Sequence, residues 1–513
     1  MNMLKIAEVT VCMTHEQLFQ LKNGTDIRGT AIAGIDADPV TLTDEAVLLI
    51  SKAFYFWVMT KTGITAPTIA VGHDSRLSAK HIRDLVAQGI TSCGGNVVFT
   101  GLSSTPSMFM LLQDDFGADA SVMITASHLP YQKNGLKFFL PSGGLEGADV
   151  AELLNIASIG VFPTGRGKKI EKLYLEKYAS DLVAMVRKAC GEKQPLSGKR
   201  IIIDAGNGAG GFYADLVLKP LGADTTGSQF LNPDGHFPAH IPNPENAEAM
   251  ASVCKAVKEN HADFGIIFDT DVDRAGAVSS TGEEINRNRL IALISAILLE
   301  EQPGAYIVTD SVTSDGLATF IKAHGGIHHR FKRGYKNVIN ESIRLNREGK
   351  YSPLAIETSG HAALKENYFL DDGAYLVTRL LIALAACAKE GKDLMSLISD
   401  LPEAEETAEI RLNFAAGCDF KELGKQVIND LAAYVAKKPY LSPAPQNFEG
   451  IRINFDREHG DGWALVRMSL HEPIMPINVE SNQAGGVSVI VKELAEFFAR
   501  YSFLDTTKFE QYL

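Results

Sequence analysis

The chain reads as α/β, with several domains in series, and three observations predict this. At 513 residues it is too long for a single hydrophobic core and is expected to divide into three to four domains. Short apolar runs alternate with amphipathic helical stretches through most of the sequence, as sheets covered on both faces by helices require. Each apolar run ends at a loop rich in Gly, Ser or Asp, which is where α/β folds place their ligands.

The elements follow in order. Thr68–Val71 runs into GHDSR, Asn96–Thr100 into GLSSTP, Arg200–Asp204 into AGNGAGG and Phe264–Phe268 into DTDVDR, and each run predicts a strand. Leu290–Leu299 and Leu380–Cys387 are the most apolar stretches; both are too short to span a bilayer and predict buried helices. GVFPTGRGKKIEK (Gly160–Lys172) is rich in Gly, Pro and Lys and predicts a linker. A new strand-helix series opens at Glu300–Asp310, which sets a second boundary near Glu284–Asn288. The acidic run Asp400–Thr407 is either a third boundary or a solvated face. Three similar α/β segments and a distinct fourth fit this pattern.

Composition narrows the partners. With 45% apolar and 22% charged residues the chain is globular, and a formal charge of −13 excludes a general affinity for nucleic acid or an anionic membrane. Any phosphate must therefore be met by a local cluster of cations. The six cysteines form no CxxC pair and predict reduced thiols, with neither a zinc site nor a disulfide framework. The opening MNMLKIAEVTVCM lacks the pattern of a signal peptide, so a cytoplasmic protein is expected.

Several loops carry chemistry. MITASHLPYQKNGLKFF (Met123–Phe139) sets Ser127 between Ala126 and His128, with Lys133 and Lys137 close behind; it is either a nucleophile loop with cations gathered round an anion, or a polar turn. FDTDVDRAG (Phe268–Gly276) alternates Asp269, Asp271 and Asp273 directly after a strand, with Arg274 next. Three carboxylates this close repel unless a cation sits among them, and hard oxygen ligands suit Mg²⁺. Two other readings of that loop are a solvated acidic turn and a haloacid-dehalogenase-like phosphatase with Asp269 as nucleophile. NGTDIRGT (Asn23–Thr30) and VGHDSRLSA (Val71–Ala79) pair Gly turns with Asp and Arg, suited to phosphate or, for Asp74 and Arg76, to an ion pair that braces a loop. AIETSGHAALKENYFLDDGA (Ala355–Ala374) gathers Glu357, Ser359 and His361, either for sugar hydroxyls or with Ser359 as a helix cap. LVRMSLHEP (Leu465–Pro473) offers Arg467, Ser469 and His471 to an anion. GNGAGG (Gly206–Gly211) satisfies GxGxxG, but it comes deep in the chain and Asp224 precedes the next apolar run, so a dinucleotide site is set aside.

Taken together and in order, NGTDIRG, TASHLPYQKNGLKF, DTDVDR, PDGHFPAHIPNPEN, KRGYK, ETSGH and RMSLHEP resemble the motifs of the α-D-phosphohexomutase superfamily over nearly the whole chain. The resemblance implies an α/β protein of three related α/β domains with mixed sheets followed by a smaller α+β C-terminal domain, around a central cleft. Its expected domains are 1–165 with the phosphoserine loop, 166–285 with the metal loop, 286–402 with the sugar loop and 403–513 with the phosphate-binding loop. It implies that Ser127 is carried as a phosphoserine and, with Asp269, Asp271 and Asp273, holds one Mg²⁺ per chain. Arg28, Lys137 and Arg274 would surround the transferring group, and His128 and His361 would move the proton. Glu357 and Ser359 would grip O3 and O4 of the sugar, with Gly334 and Tyr335 beside them, while Arg467, Ser469 and His471 would hold the phosphate that does not react. The implied reaction moves phosphate between O1 and O6 of a hexose phosphate through a hexose 1,6-bisphosphate.

LKENYFLDDGAY after ETSGH is closer to the phosphomannomutase/phosphoglucomutase branch than to the phosphoglucosamine branch. Glucose and mannose differ at O2 alone, so a site reading O3 and O4 is expected to accept both. The expected partner is a small hexose phosphate, the expected assembly a monomer or homodimer. Four positions depart from the family pattern: Ile356, Phe331, Leu470 and His471. A phosphoglucosamine mutase, a haloacid-dehalogenase-like phosphatase and a non-catalytic sugar-phosphate binder are the alternatives.

Overall fold

The computed structural model describes residues 6–33, 38–469 and 472–513. Contacts divide the chain into two units, residues 1–286 with 359–362 and 370–394, and residues 287–358 with 363–369 and 395–513.

The first unit contains two mixed sheets. In the larger, the path of strands runs Lys169–Glu171, Asn96–Leu102, Thr68–His73, Ala120–Ile124, Lys133–Leu140, Asp26–Thr30 and Lys22–Asn23. The first four are mutually parallel and the rest antiparallel; the loop of residues 125–132, with no crossover helix, leads from Ala120–Ile124 back into the antiparallel strand Lys133–Leu140. Helix Asp44–Thr62 covers one face. It is capped by Thr43, whose hydroxyl accepts from the Ala46 N–H at 3.2 Å. Its Phe54 and Trp57 are buried with Phe138 in one core, and burying side chains of that size stabilises the fold by about 1.5–3 kcal/mol each. The second sheet runs Ile201–Asp204, Phe264–Phe268, Ala275–Val278 and Glu284–Ile285, with its first pair parallel and the others antiparallel.

One sequence expectation is corrected. Residues 160–172 are woven into the first unit and do not form a linker: Val161–Pro163 pairs with Ile6–Glu8, and Lys169–Glu171 adds a parallel strand beside Asn96–Leu102. Gly167 makes this possible, since a Cβ there would fall 1.6 Å from the Gly95 carbonyl oxygen. The Gly-rich composition reflects close backbone packing, not a free connection.

In the second unit Ile327–Phe331, Tyr306–Asp310 and Leu354–Ile356 form a parallel core, with Tyr306–Asp310 between the other two. The apolar stretch Leu290–Leu299 lies within helix Arg287–Glu301, and every residue of that stretch is buried, as expected. The last sheet, Glu406–Asn413, Ile474–Ser481, Gly462–Val466, Ile451–Phe455 and Leu441–Pro443, is antiparallel throughout. Its core includes side chains from helices Phe420–Val435 and Gly486–Phe498, giving the distinct α+β character expected of the C-terminal part. Among the described residues no helix is long and apolar enough to cross a membrane.

Candidate active site

In the first unit the serine loop and the aspartate loop meet. Ser127 follows strand Ala120–Ile124 and is held at φ 52°, a left-handed conformation that costs a non-glycine residue and needs support. The support is Arg76. Its guanidinium donates through Nη1 to the carbonyl oxygens of Pro130 at 2.8 Å and Lys133 at 2.9 Å, and through Nη2 to those of Leu129 at 2.6 Å and Ser127. Asp74, fully buried, lies 3.3 Å from Arg76 Nε, so the bracing ion pair expected from VGHDSR is present and it braces the serine loop.

The Ser127 hydroxyl is 3.1 Å from Asp269 Oδ2, to which it donates, and accepts from Arg274 Nη2 at 2.8 Å. Arg274 also spans Asp269 and His128: Nη2 lies 3.1 Å from Asp269 Oδ2 and 2.6 Å from His128 Nδ1. A guanidinium can donate but not accept, so His128 Nδ1 is the unprotonated nitrogen and Nε2 carries the hydrogen. Burial, then Arg274 and Arg28, push His128 down to about 3, which agrees with that neutral tautomer. Arg28 itself pairs with Asp26 at 2.9 Å, and the register places it opposite Gly135 of the neighbouring strand.

Lys137 lies in register opposite Met123, and its ammonium reaches Asp271 at 2.9 Å and Asp273 at 2.5 Å. Burial alone would lower Lys137, but Asp271 and Asp273 hold it well above the usual lysine value. Asp269, Asp271 and Asp273 are all buried, and one oxygen of each lies within 4.8 Å of the others. Burial and its two neighbours raise Asp269 well above the carboxylate range; Asp273 is driven the other way because Lys137, His361 and Arg274 outweigh its burial. Asp271 Oδ1 and Asp273 Oδ1 are buried without a hydrogen-bond donor. Orphaned carboxylate oxygens in a buried cluster are the donor set a hard divalent cation takes. The triad therefore fits such an ion.

The aspartate loop is placed partly by GNGAGG. Gly208 packs so closely on this loop that a Cβ would lie 2.6 Å from the Thr270 carbonyl oxygen, which accepts from the Ala209 N–H at 2.8 Å. Gly208 thus serves close backbone approach to the carboxylate loop, while Gly206 and Gly211 lie as closely against Pro242 and Leu231, which gives this glycine run a packing role. Thr105 adds a hydroxyl hydrogen bond to Asp271 Oδ2.

His361 lies beside the same loop through an isolated bridge to Arg274. Its Nδ1 is hydrogen-bonded to Asp371 Oδ2 and lies 4.0 Å from Asp273 Oδ1. Burial opposes its charge, but Asp371 and Asp273 hold it up at about 9. Sequence reasoning passed over Asp371; the available signal was an acidic pair, LDDG, soon after the histidine. Ser359, also in this unit, has a buried Oγ without a hydrogen-bond partner, so it is not the helix cap considered from the sequence.

The remaining expected residues belong to the second unit. Glu357 follows strand Leu354–Ile356, and its Oε1 accepts from the Gly334 N–H at 2.6 Å, which joins the end of that strand to the turn leading into helix Tyr335–Arg347. Arg467 follows strand Gly462–Val466, and Ser469 Oγ accepts from the Glu472 N–H at 3.2 Å. His471 and Leu470 lie outside the described residues.

The chain matches family models described as phosphoglucomutase/phosphomannomutase alpha/beta/alpha domain I over residues 20–157, domain II over 174–282 and domain III over 286–404. It is similar to a phosphoglucomutase of Neisseria gonorrhoeae, 32% identical over 455 residues that cover 88% of this chain and 92% of that protein. A phosphomannomutase/phosphoglucomutase of Pseudomonas putida is 29% identical over 417 residues, covering 81% and 84%. Among solved structures, a phosphoglucomutase/phosphomannomutase family protein from Burkholderia thailandensis superposes with a TM-score of 0.76 at 27% identity, over 95% of this chain and 98% of that one. Three consecutive family domains and relatives matched along nearly their whole length leave one assignment: the chain belongs to the phosphoglucomutase/phosphomannomutase family of the α-D-phosphohexomutase superfamily.

Proposed function

We propose that this hexose-phosphate mutase moves phosphate between O1 and O6 of glucose and mannose phosphates through Ser127. The observation that carries the reading is the Ser127 hydroxyl set between Asp269 and Arg274, with Lys137 on the neighbouring carboxylates. In the forward half, the bond from phosphorus to Ser127 Oγ breaks as a bond to the sugar hydroxyl oxygen forms; the sugar hydroxyl loses its proton and Ser127 Oγ gains one, with a histidine as the carrier. The return half transfers the other phosphate of the hexose bisphosphate back to Ser127.

The chain's own groups divide that work. Arg274 and Lys137 supply fixed positive charge around the transferring group, which phosphoryl transfer chiefly needs. Asp269, Asp271 and Asp273, with the phosphate on Ser127, would hold one Mg²⁺, which supplies charge neutralisation at that phosphate when bound. His361, oriented by Asp371, moves the proton, and His128 donates from Nε2. Arg28 adds positive charge beside His128. Glu357 and Ser359 read the sugar hydroxyls, Gly334 and Tyr335 line that loop, and Arg467, Ser469 and His471 take the idle phosphate. A phosphatase using Asp269 as nucleophile finds no support here, because both Ser127 and Arg274 already bond to that carboxylate.

The test follows glucose 1-phosphate, mannose 1-phosphate and glucosamine 1-phosphate separately by phosphorus NMR, with Mg²⁺ and a trace of hexose bisphosphate. Conversion of the first two to 6-phosphates is the expected result. Release of free phosphate, or no change in any of the three, would overturn it.

A further inference from the structure

Two loops assigned above to substrate, the 333–335 turn and the stretch from Arg467 to Ser469, come from distant parts of the sequence, and one carboxylate serves both. Glu449 Oε2 accepts from the Arg333 N–H at 2.9 Å, its Oε1 accepts from the Ser311 hydroxyl at 2.7 Å, and Oε1 lies 3.6 Å from Arg467 Nε. The next residue explains how Glu449 reaches Arg467. Gly450 has φ 56°, and a Cβ there would fall 2.0 Å from the Val466 carbonyl oxygen and 2.8 Å from Arg467 Cα. Only glycine lets this backbone lie against the start of the arginine loop.

The residue before makes the same segment fast on its other side. Phe448 packs on Phe331 with ring centroids 4.9 Å apart, and on His329 at 5.6 Å. This gives Phe331, a departure from the family pattern, a structural partner. Arg467 Nε is buried without a hydrogen bond, so its guanidinium is steered by the Glu449 charge and is not locked by it.

We propose that Glu449 is a positioning residue for the substrate's idle phosphate: it aligns Arg467 with the Arg333–Gly334 turn before the ligand arrives. Prearranged donors avoid the ordering cost that a flexible arginine would incur on binding. The inference rests on the mutase reading, within which it names how the phosphate end is built.

The test uses the Ser127→Ala full-length protein, which cannot transfer phosphate, titrated calorimetrically with glucose 6-phosphate. Adding Glu449→Ala should weaken binding by about tenfold. Adding Glu449→Gln, which keeps an oxygen for the Arg333 N–H but removes the charge facing Arg467, should weaken it less, by about threefold or more. With Ser127 intact, Glu449→Ala should raise KM for glucose 1-phosphate and leave kcat within about twofold. If Glu449→Ala fails to fold, Glu449→Gln decides. Affinity loss below about threefold in the folded variants, or a fall in kcat with unchanged KM, overturns the proposal. Failure of the parent reading looks different, since the unmodified protein would then yield no 6-phosphate at all.

Discussion

Ser127 carries its side chain on a backbone at φ 52°, so both the hydroxyl and the loop that presents it are open to test. Ser127→Ala removes the oxygen proposed to receive phosphate, and turnover should be abolished, with the melting temperature close to that of the unmodified protein. Full activity in the alanine variant would exclude transfer through this residue. Arg76→Lys probes the loop instead. Lysine offers a compact ammonium where the guanidinium serves four carbonyl oxygens, so some of those oxygens lose their donor, and for the buried Ser127 carbonyl that loss costs about 1–3 kcal/mol. Thermal melting should show a clear loss of stability, and kcat should fall more than KM rises. Asp371→Asn should lower kcat with little change in KM, because it disturbs the orientation of His361; steady-state kinetics on glucose 1-phosphate checks this.

At the scale of elements, strand ends and their loops act as the unit of function. The aspartate loop follows Phe264–Phe268, the serine loop follows Ala120–Ile124, and register then sets Lys137 opposite Met123. A neighbouring strand end carries Asp204, which lies 3.0 Å from His240 Nε2 within the PDGHFPAHIPNPEN stretch. Burial pulls the His240 pKa down, but the hydrogen bond and charge of Asp204 win and raise it. A raised histidine pKa stabilises the fold fully below the unfolded value of about 6.5, and the contribution fades as pH climbs through the folded value. The gap in melting temperature between the unmodified protein and Asp204→Asn should therefore be wider at about pH 6 than at about pH 9. An equal gap at both would show that the pair contributes no proton-linked stability.

Over the whole molecule, the three buried aspartates concentrate like charge in the first unit, relieved partly by Lys137 and Arg274. A divalent ion that binds there in the folded state stabilises the protein by mass action, about 2.7 kcal/mol at a hundredfold excess over its dissociation constant. Mg²⁺ should raise the melting temperature, and EDTA should reverse the rise. Asp271→Asn should remove most of the increment; an undiminished increment would place the ion elsewhere.

The sequence by itself determined the α/β class, the four strands named from it and the order of the functional loops, because these depend on local periodicity and on residue types within a few positions. Phe264–Phe268 forms as read, and Thr68–Val71 and Asn96–Thr100 extend only a little further, to His73 and Leu102. The serine and aspartate motifs were legible for the same reason: each is contiguous and chemically unusual. Only the tertiary structure decided that Arg76 holds the serine loop, that Asp371 hydrogen-bonds His361, that Glu449 lies between the 333–335 turn and Arg467 and that residues 160–172 belong to a sheet. Each of these is a contact between stretches that chain-local patterns do not relate. A buried arginine, a second aspartate or a run of glycines reads as ordinary sequence until folding brings its partner within hydrogen-bond range.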